Sequence, residues 1–117
     1  MPRTPNANVR LDLMQGTLDM LILKALTWGS MHGYGIARWL EDTTDAALRV
    51  EEGSLYPALH RMAGRGWVTA EWGISDKKRR AKYYTLTSRG RAQLELETSH
   101  WLRFTEAIAK VLRAQPA

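Results

Sequence analysis

The stretch 51-EEGSLYPALHRM-62 decides how the chain is read. Leu55, Ala58, Leu59 and Met62 recur at helical spacing and define one apolar face. The opposite face carries Gly53, Pro57, His60, Arg61 and Gly64, with Tyr56 at its edge. Gly53, Pro57 and Gly64 have little side-chain reach, and a helix lying on solvent would not choose them, since glycine costs up to ~1 kcal/mol against alanine. A helix entering a nucleic-acid groove gains from low bulk, because the backbone comes close while a few polar groups reach bases and phosphates. Pro57 lacks an N–H, so the helix is expected to be loosened around Gly53 or to begin late. Glu51 and Glu52 read as capping acids at the positive end of the helix and stand outside the contact set.

Before this stretch, Leu18, Leu21, Ile22, Ala25 and Leu26 mark a helix from about Gln15 that stops at Gly29. Residues 32–43, HGYGIARWLEDT, form a second helix with Ile36, Ala37 and Leu40 inward. After Gly66, WVTAEW (67–72) and AKYYTL (81–86) alternate around a basic loop and read as a β-hairpin. Thr87 is an N-cap for a final helix of roughly residues 88–113. The fold class is mainly α with a two-stranded β wing, that is, a winged helix-turn-helix plus a long C-terminal dimerisation helix. The expected division is a flexible N-terminal arm (1–12), a winged helix-turn-helix DNA-binding domain (13–87) and the dimerisation helix (88–117).

The charge distribution supports a polyanion partner. The net charge is +5, and residues 51–90 hold eight Lys/Arg against four Asp/Glu while the flanking regions nearly balance. DKKRRAK (76–82) places five cations among seven residues at the expected wing. A solvated loop is the plainer reading of that run. On the helix face, His60 and Arg61 can donate to guanine edges or phosphates and Tyr56 to phosphate, while Ser54 sits in the anion-attracting first turn. The plainer readings are a core rim for Tyr56, a surface residue for His60 and a helix-start marker for Pro57.

The motifs LMQGTLDMLILKAL, HGYGI, EEGSLYPALHRM, GRGWVTAEW and RRAKYYTLTSRGRAQLELE resemble the PadR family of bacterial transcriptional regulators, and most closely its short subfamily with a single C-terminal helix. The resemblance runs from about residue 13 to 112. It implies a cytoplasmic homodimeric repressor that reads an inverted-repeat operator with its third helix in the major groove. Carried over, it assigns DNA binding to Ser54, Tyr56, Pro57, His60 and Arg61, and to the wing cations Lys77, Lys78, Arg79, Arg80 and Lys82. Gly64, where relatives tend to have a helix former, and the bulky Trp39 depart from the family pattern.

On the last helix, Leu94, Trp101, Phe104, Ile108, Val111 and Leu112 fall within an arc of about 100°, the width of one buried stripe. A second copy of the chain is the simplest cover, giving a two-fold dimer. Trp101 and Phe104 also suit a small aromatic or hydrophobic effector, although aromatics at helical spacing favour packing. No cofactor is expected. His32, His60 and His100 are widely spaced, with no catalytic set or metal-ligand spacing among them, so neither an enzyme nor a metal site is expected. The rival function is a winged-helix module for protein–protein or RNA contacts. The absence of cysteine excludes disulfides and fits a reducing cytoplasm. No apolar run approaches a membrane span, and the N-terminus lacks the apolar stretch of a signal peptide.

Overall fold

Leucine-rich periodicity makes α1 (Gln15–Ala25) the central strut, continued by a 3-10 turn at Leu26–Trp28 that ends where Gly29 takes φ +136°. The structure, a computed structural model, describes residues 9–10 and 15–116. Leu18, Ile22, Leu23, Ala25 and Leu26 are buried, and α1 touches the helices at residues 33–43, 52–64 and 88–113 at once. Helix α2 (Gly33–Thr43) begins at His32, whose Nδ1 accepts from the Gly35 N–H at 3.0 Å, and it buries Ile36 and Leu40. At its far end the Thr44 hydroxyl donates to the Leu40 carbonyl (2.8 Å) and accepts from the Leu48 N–H (3.0 Å). Helix α3 (Glu52–Gly64) packs Leu55, Ala58, Leu59 and Met62 on the same core, and Gly66 (φ +77°) turns the chain into the wing.

The wing consists of β4 (Val68–Ile74) and β5 (Arg80–Leu86), antiparallel from Val68↔Leu86 out to Ile74↔Arg80. Val68 and Tyr84 carry the core into the base of this hairpin. The two-stranded wing expected from the sequence has a third member, β2 (Met31–His32), paired antiparallel with β5 on the side away from β4. Two residues are too short for an alternating pattern, so no sequence signal marks this strand.

Val9–Arg10 within the predicted arm forms β1, paired in parallel with β3 (Leu48–Arg49) just ahead of α3. The rest of the predicted arm, and its boundary at residue 12, lies outside the described residues.

Helix α4 (Ser88–Arg113) starts at the cap foreseen in the sequence: the Thr87 side chain accepts from the Gly90 N–H at 3.0 Å. The Thr87 hydroxyl also lies 2.7 Å from the Gly66 carbonyl, and the Thr87 N–H donates to the Trp67 carbonyl at 3.1 Å. A side chain at Gly90 would collide with the Trp67 carbonyl, so α4 leaves the wing in close backbone contact with it. At 26 residues α4 is about 39 Å long, which accounts for the elongated extents of 61 × 33 × 22 Å.

Candidate nucleic-acid interface

The outer face of α3 is as bare as its sequence implies. Gly53, Tyr56, Pro57, His60 and Gly64 are exposed, while Ser54 is half-buried in the first turn. A Cβ added at Gly53 or Gly64 would meet nothing within 4 Å, so no internal packing demands either glycine. The helix runs continuously across Pro57 from its start at Glu52, so it does not begin late, and its loosening is confined to one missing bond. The lost bond is the one Pro57 would give to Gly53, at the exposed N-terminal end. Glu51 occupies the N-cap position, but its side chain makes no cap; its carbonyl accepts from the Ser54 and Leu55 N–H groups instead. The capping expected of Glu51 is therefore a backbone matter, and Glu52 acts only as a first-turn acid.

Arg61 does not belong on this face. Its guanidinium donates to Asp19 of α1 at 2.5 Å in a largely buried ion pair. The residue stands on the flank of α3, and its long side chain swings toward the core. Burial pushes the Asp19 carboxyl above its ordinary value, and the Arg61 hydrogen bond pulls the other way. A signal was present in the sequence: Asp19 is an acid inside the apolar stripe of α1, and a buried acid needs a cation.

Tyr56 leans from α3 over the start of α2. A Cβ at Gly33 would lie 2.7 Å from the Tyr56 ring and hydroxyl, so the first glycine of HGYG makes room for that ring. Beyond Tyr56, an open groove of about 1120 Å³ runs between α2 and the wing, walled by Tyr34, Arg38 and Trp39 on one side and Trp72, Arg80 and Lys82 on the other. Trp39, an unexplained departure in the sequence, thus packs against the core with one edge in this groove. Tyr34 and Arg38, joined at 3.3 Å, line the same wall and were missed because helix periodicity marks only their exposure.

The wing turn is tied by Ser75, whose N–H donates to the Arg79 carbonyl and whose own carbonyl accepts from the Lys78 N–H, both at 2.8 Å. Lys78 sits in the left-handed region at φ +59°. Lys77, Lys78, Arg79, Arg80 and Lys82 are all exposed. Arg80 and Lys82 flank the Trp72 ring, at 4.6 Å and 5.7 Å from its centroid. Tyr56, at the edge of the low-bulk helix face, lines the same groove as Lys77, Arg79, Arg80 and Lys82. Among the described residues no group of three or more His, Cys, Asp or Glu stands close enough to hold a metal ion, and no helix is long and apolar enough to cross a membrane.

The predicted seam of α4 divides in two. Leu94 is buried in the core of its own protomer, and Trp101 is half-buried against that core, so Leu94 is withdrawn from the dimer set. α1 is in contact with α4, and Leu94 and Trp101 join the core that α1 centres. Phe104, Ile108, Val111 and Leu112 remain exposed, Val111 and Leu112 by 73% and 78%. The Trp101 and Phe104 rings are 6.0 Å apart where the two halves meet.

The transcriptional regulator PadR-like family matches residues 22–96. An uncharacterized protein of Lysinibacillus sphaericus is 32% identical over 101 residues, 86% of this chain and 92% of that protein. The negative transcriptional regulator PadR of Bacillus subtilis is 29% identical over 77 residues, 66% of this chain and 42% of that longer protein. Among solved structures, a transcriptional regulator from Clostridium thermocellum superposes with a TM-score of 0.76 at 28% identity, covering 85% of this chain and 96% of that one. A PadR-like transcriptional regulator from Bacillus cereus gives 0.73 at 26% identity, covering 88% and 98%. With the match spanning both core and wing, the chain belongs to the PadR-like family of transcriptional regulators.

Proposed function

We propose that this regulator is a homodimeric repressor that binds an inverted-repeat operator, with α3 in the major groove and the wing on the DNA backbone. The observation that carries this reading is that Tyr56, at the edge of the bare α3 face, shares one groove with the wing cations. Ser54, Tyr56, Pro57 and His60 are the proposed α3 contacts. Lys77, Lys78, Arg79, Arg80 and Lys82 are the proposed wing contacts, and Arg61 is left out because Asp19 holds it. Repression is supported by the Bacillus subtilis relative, which is a negative regulator. Phe104, Ile108, Val111 and Leu112 form the proposed seam with a second copy. A flat aromatic or hydrophobic effector would lodge at its inner end, against Trp101 and Phe104.

Fluorescence anisotropy with labelled duplexes at several salt concentrations tests the DNA reading. Bound fragments selected from genomic DNA supply the specific duplex. Replacing Lys78, Arg79 and Arg80 by alanine is expected to weaken specific and random duplexes alike, and to flatten the salt slope by ~0.9 per lost phosphate contact. His60→Ala is expected to narrow the gap between specific and random DNA instead. Unchanged binding by both variants would sink the reading.

A further inference from the structure

Trp72 is a costly residue to leave where it stands. It lies on β4 on the same face as Val68 and Ala70, yet beyond the core, and it remains 60% exposed. Directly across the hairpin is Lys82, and diagonally across is Arg80, the register partner of Ile74. Both cations rest on the indole ring. By contrast, among the described residues no ring or carboxylate contact holds the side chains of Lys77, Lys78 or Arg79 in the turn. The wing therefore carries two kinds of cation, three loose at the tip and two ordered along the strand.

A long cationic side chain loses rotamer freedom when it settles on a phosphate. A ring that already holds it reduces that loss, and the attraction is local to the ring face. Resting on the proposal that the wing binds DNA, we propose that Trp72 is a positioning residue for that binding. It touches no phosphate itself and acts by holding Arg80 and Lys82 at the mouth of the groove between α2 and the wing.

The test uses the full-length chain and a selected duplex, with Trp72 replaced by Ala, Leu or Phe, in anisotropy titrations across salt. Trp72→Ala is expected to weaken binding about two- to tenfold. The slope of affinity against salt stays unchanged, because every cation is still present; Arg80→Ala lowers that slope by ~0.9. Trp72→Phe restores most of the affinity, whereas Trp72→Leu, apolar but without a ring face, behaves like alanine. Arg80→Ala costs less in the Trp72→Ala background than alone, since the two act together. Affinity of Trp72→Ala equal to the unmodified chain, or full rescue by leucine, overturns the role of Trp72 and leaves the DNA reading standing. Failure of the unmodified chain to bind any duplex overturns both.

Discussion

At the scale of single residues, the ion pair between Asp19 and Arg61 has consequences opposite to those of a DNA contact. Arg61→Ala removes the partner of a buried acid, so it is expected to lower stability by about 1–3 kcal/mol. Its effect on the preference for specific over random DNA should be small. Urea denaturation and anisotropy separate the two outcomes. The pH dependence follows from the raised carboxyl of Asp19. Between its ordinary value and its raised one, the folded state binds more proton than the unfolded state. Stability contributed by Asp19 is therefore present in acid and falls as pH rises through that interval, then stays level. Relative to Asp19→Asn, the unmodified chain is expected to lose ground over that window in denaturation midpoints. A midpoint difference that grows with pH would contradict the assignment. The sequence showed Asp19 inside an apolar stripe but gave no way to choose among the chain's arginines as its partner. That choice depends on how α1 crosses α3, a matter of packing rather than of local pattern.

At the scale of elements, apolar periodicity and turn residues made the helices and the wing hairpin legible, including the Thr87 cap. The short strands β1, β2 and β3 were not legible, because two residues carry no period and owe their pairing to the rest of the fold. The face of α3 was legible except at its flank, where a projection angle cannot say which way a long side chain bends. Glycines separate the elements further. Gly53 stands on a helix with open space above it, so Gly53→Ala is expected to raise stability by up to ~1 kcal/mol. The same methyl should weaken duplex binding if the face enters a groove, and a gain in stability with unchanged affinity would place DNA elsewhere. Gly90 is the reverse case, with the Trp67 carbonyl in the way. Gly90→Ala is expected to cost about 1–3 kcal/mol, read from thermal and denaturant midpoints.

At the scale of the whole molecule, the exposed second half of α4 is the proposed seam with a second copy. The stripe is apolar along its length, but its inner end belongs to the protomer, where Leu94 joins the hydrophobic core. Sequence alone does not reveal how far one helix will shade another. Replacing Ile108 and Leu112 by glutamate should leave the protomer folded while halving the mass in light scattering. A dimeric mass in that variant would move the seam elsewhere. Two-fold related α3 helices should also protect inverted half-sites about one DNA turn apart, ~34 Å, in footprints. A single unpaired half-site would count against the dimer.

The junction at Thr87 has a mechanical meaning. Its hydroxyl and N–H reach Gly66 and Trp67, immediately after α3 ends, while its side chain starts α4. If α3 grips DNA as proposed, that junction would serve as a fulcrum, with α4 as the long arm and α3 as the short one. A tilt of only about 5° displaces the end of an arm of ~39 Å by roughly 3 Å. Leverage of this kind runs both ways, so DNA gripped at the short arm would also adjust the grip between partners at the long one. Distances between spin labels on paired α3 helices, measured with and without duplex, would register the stroke.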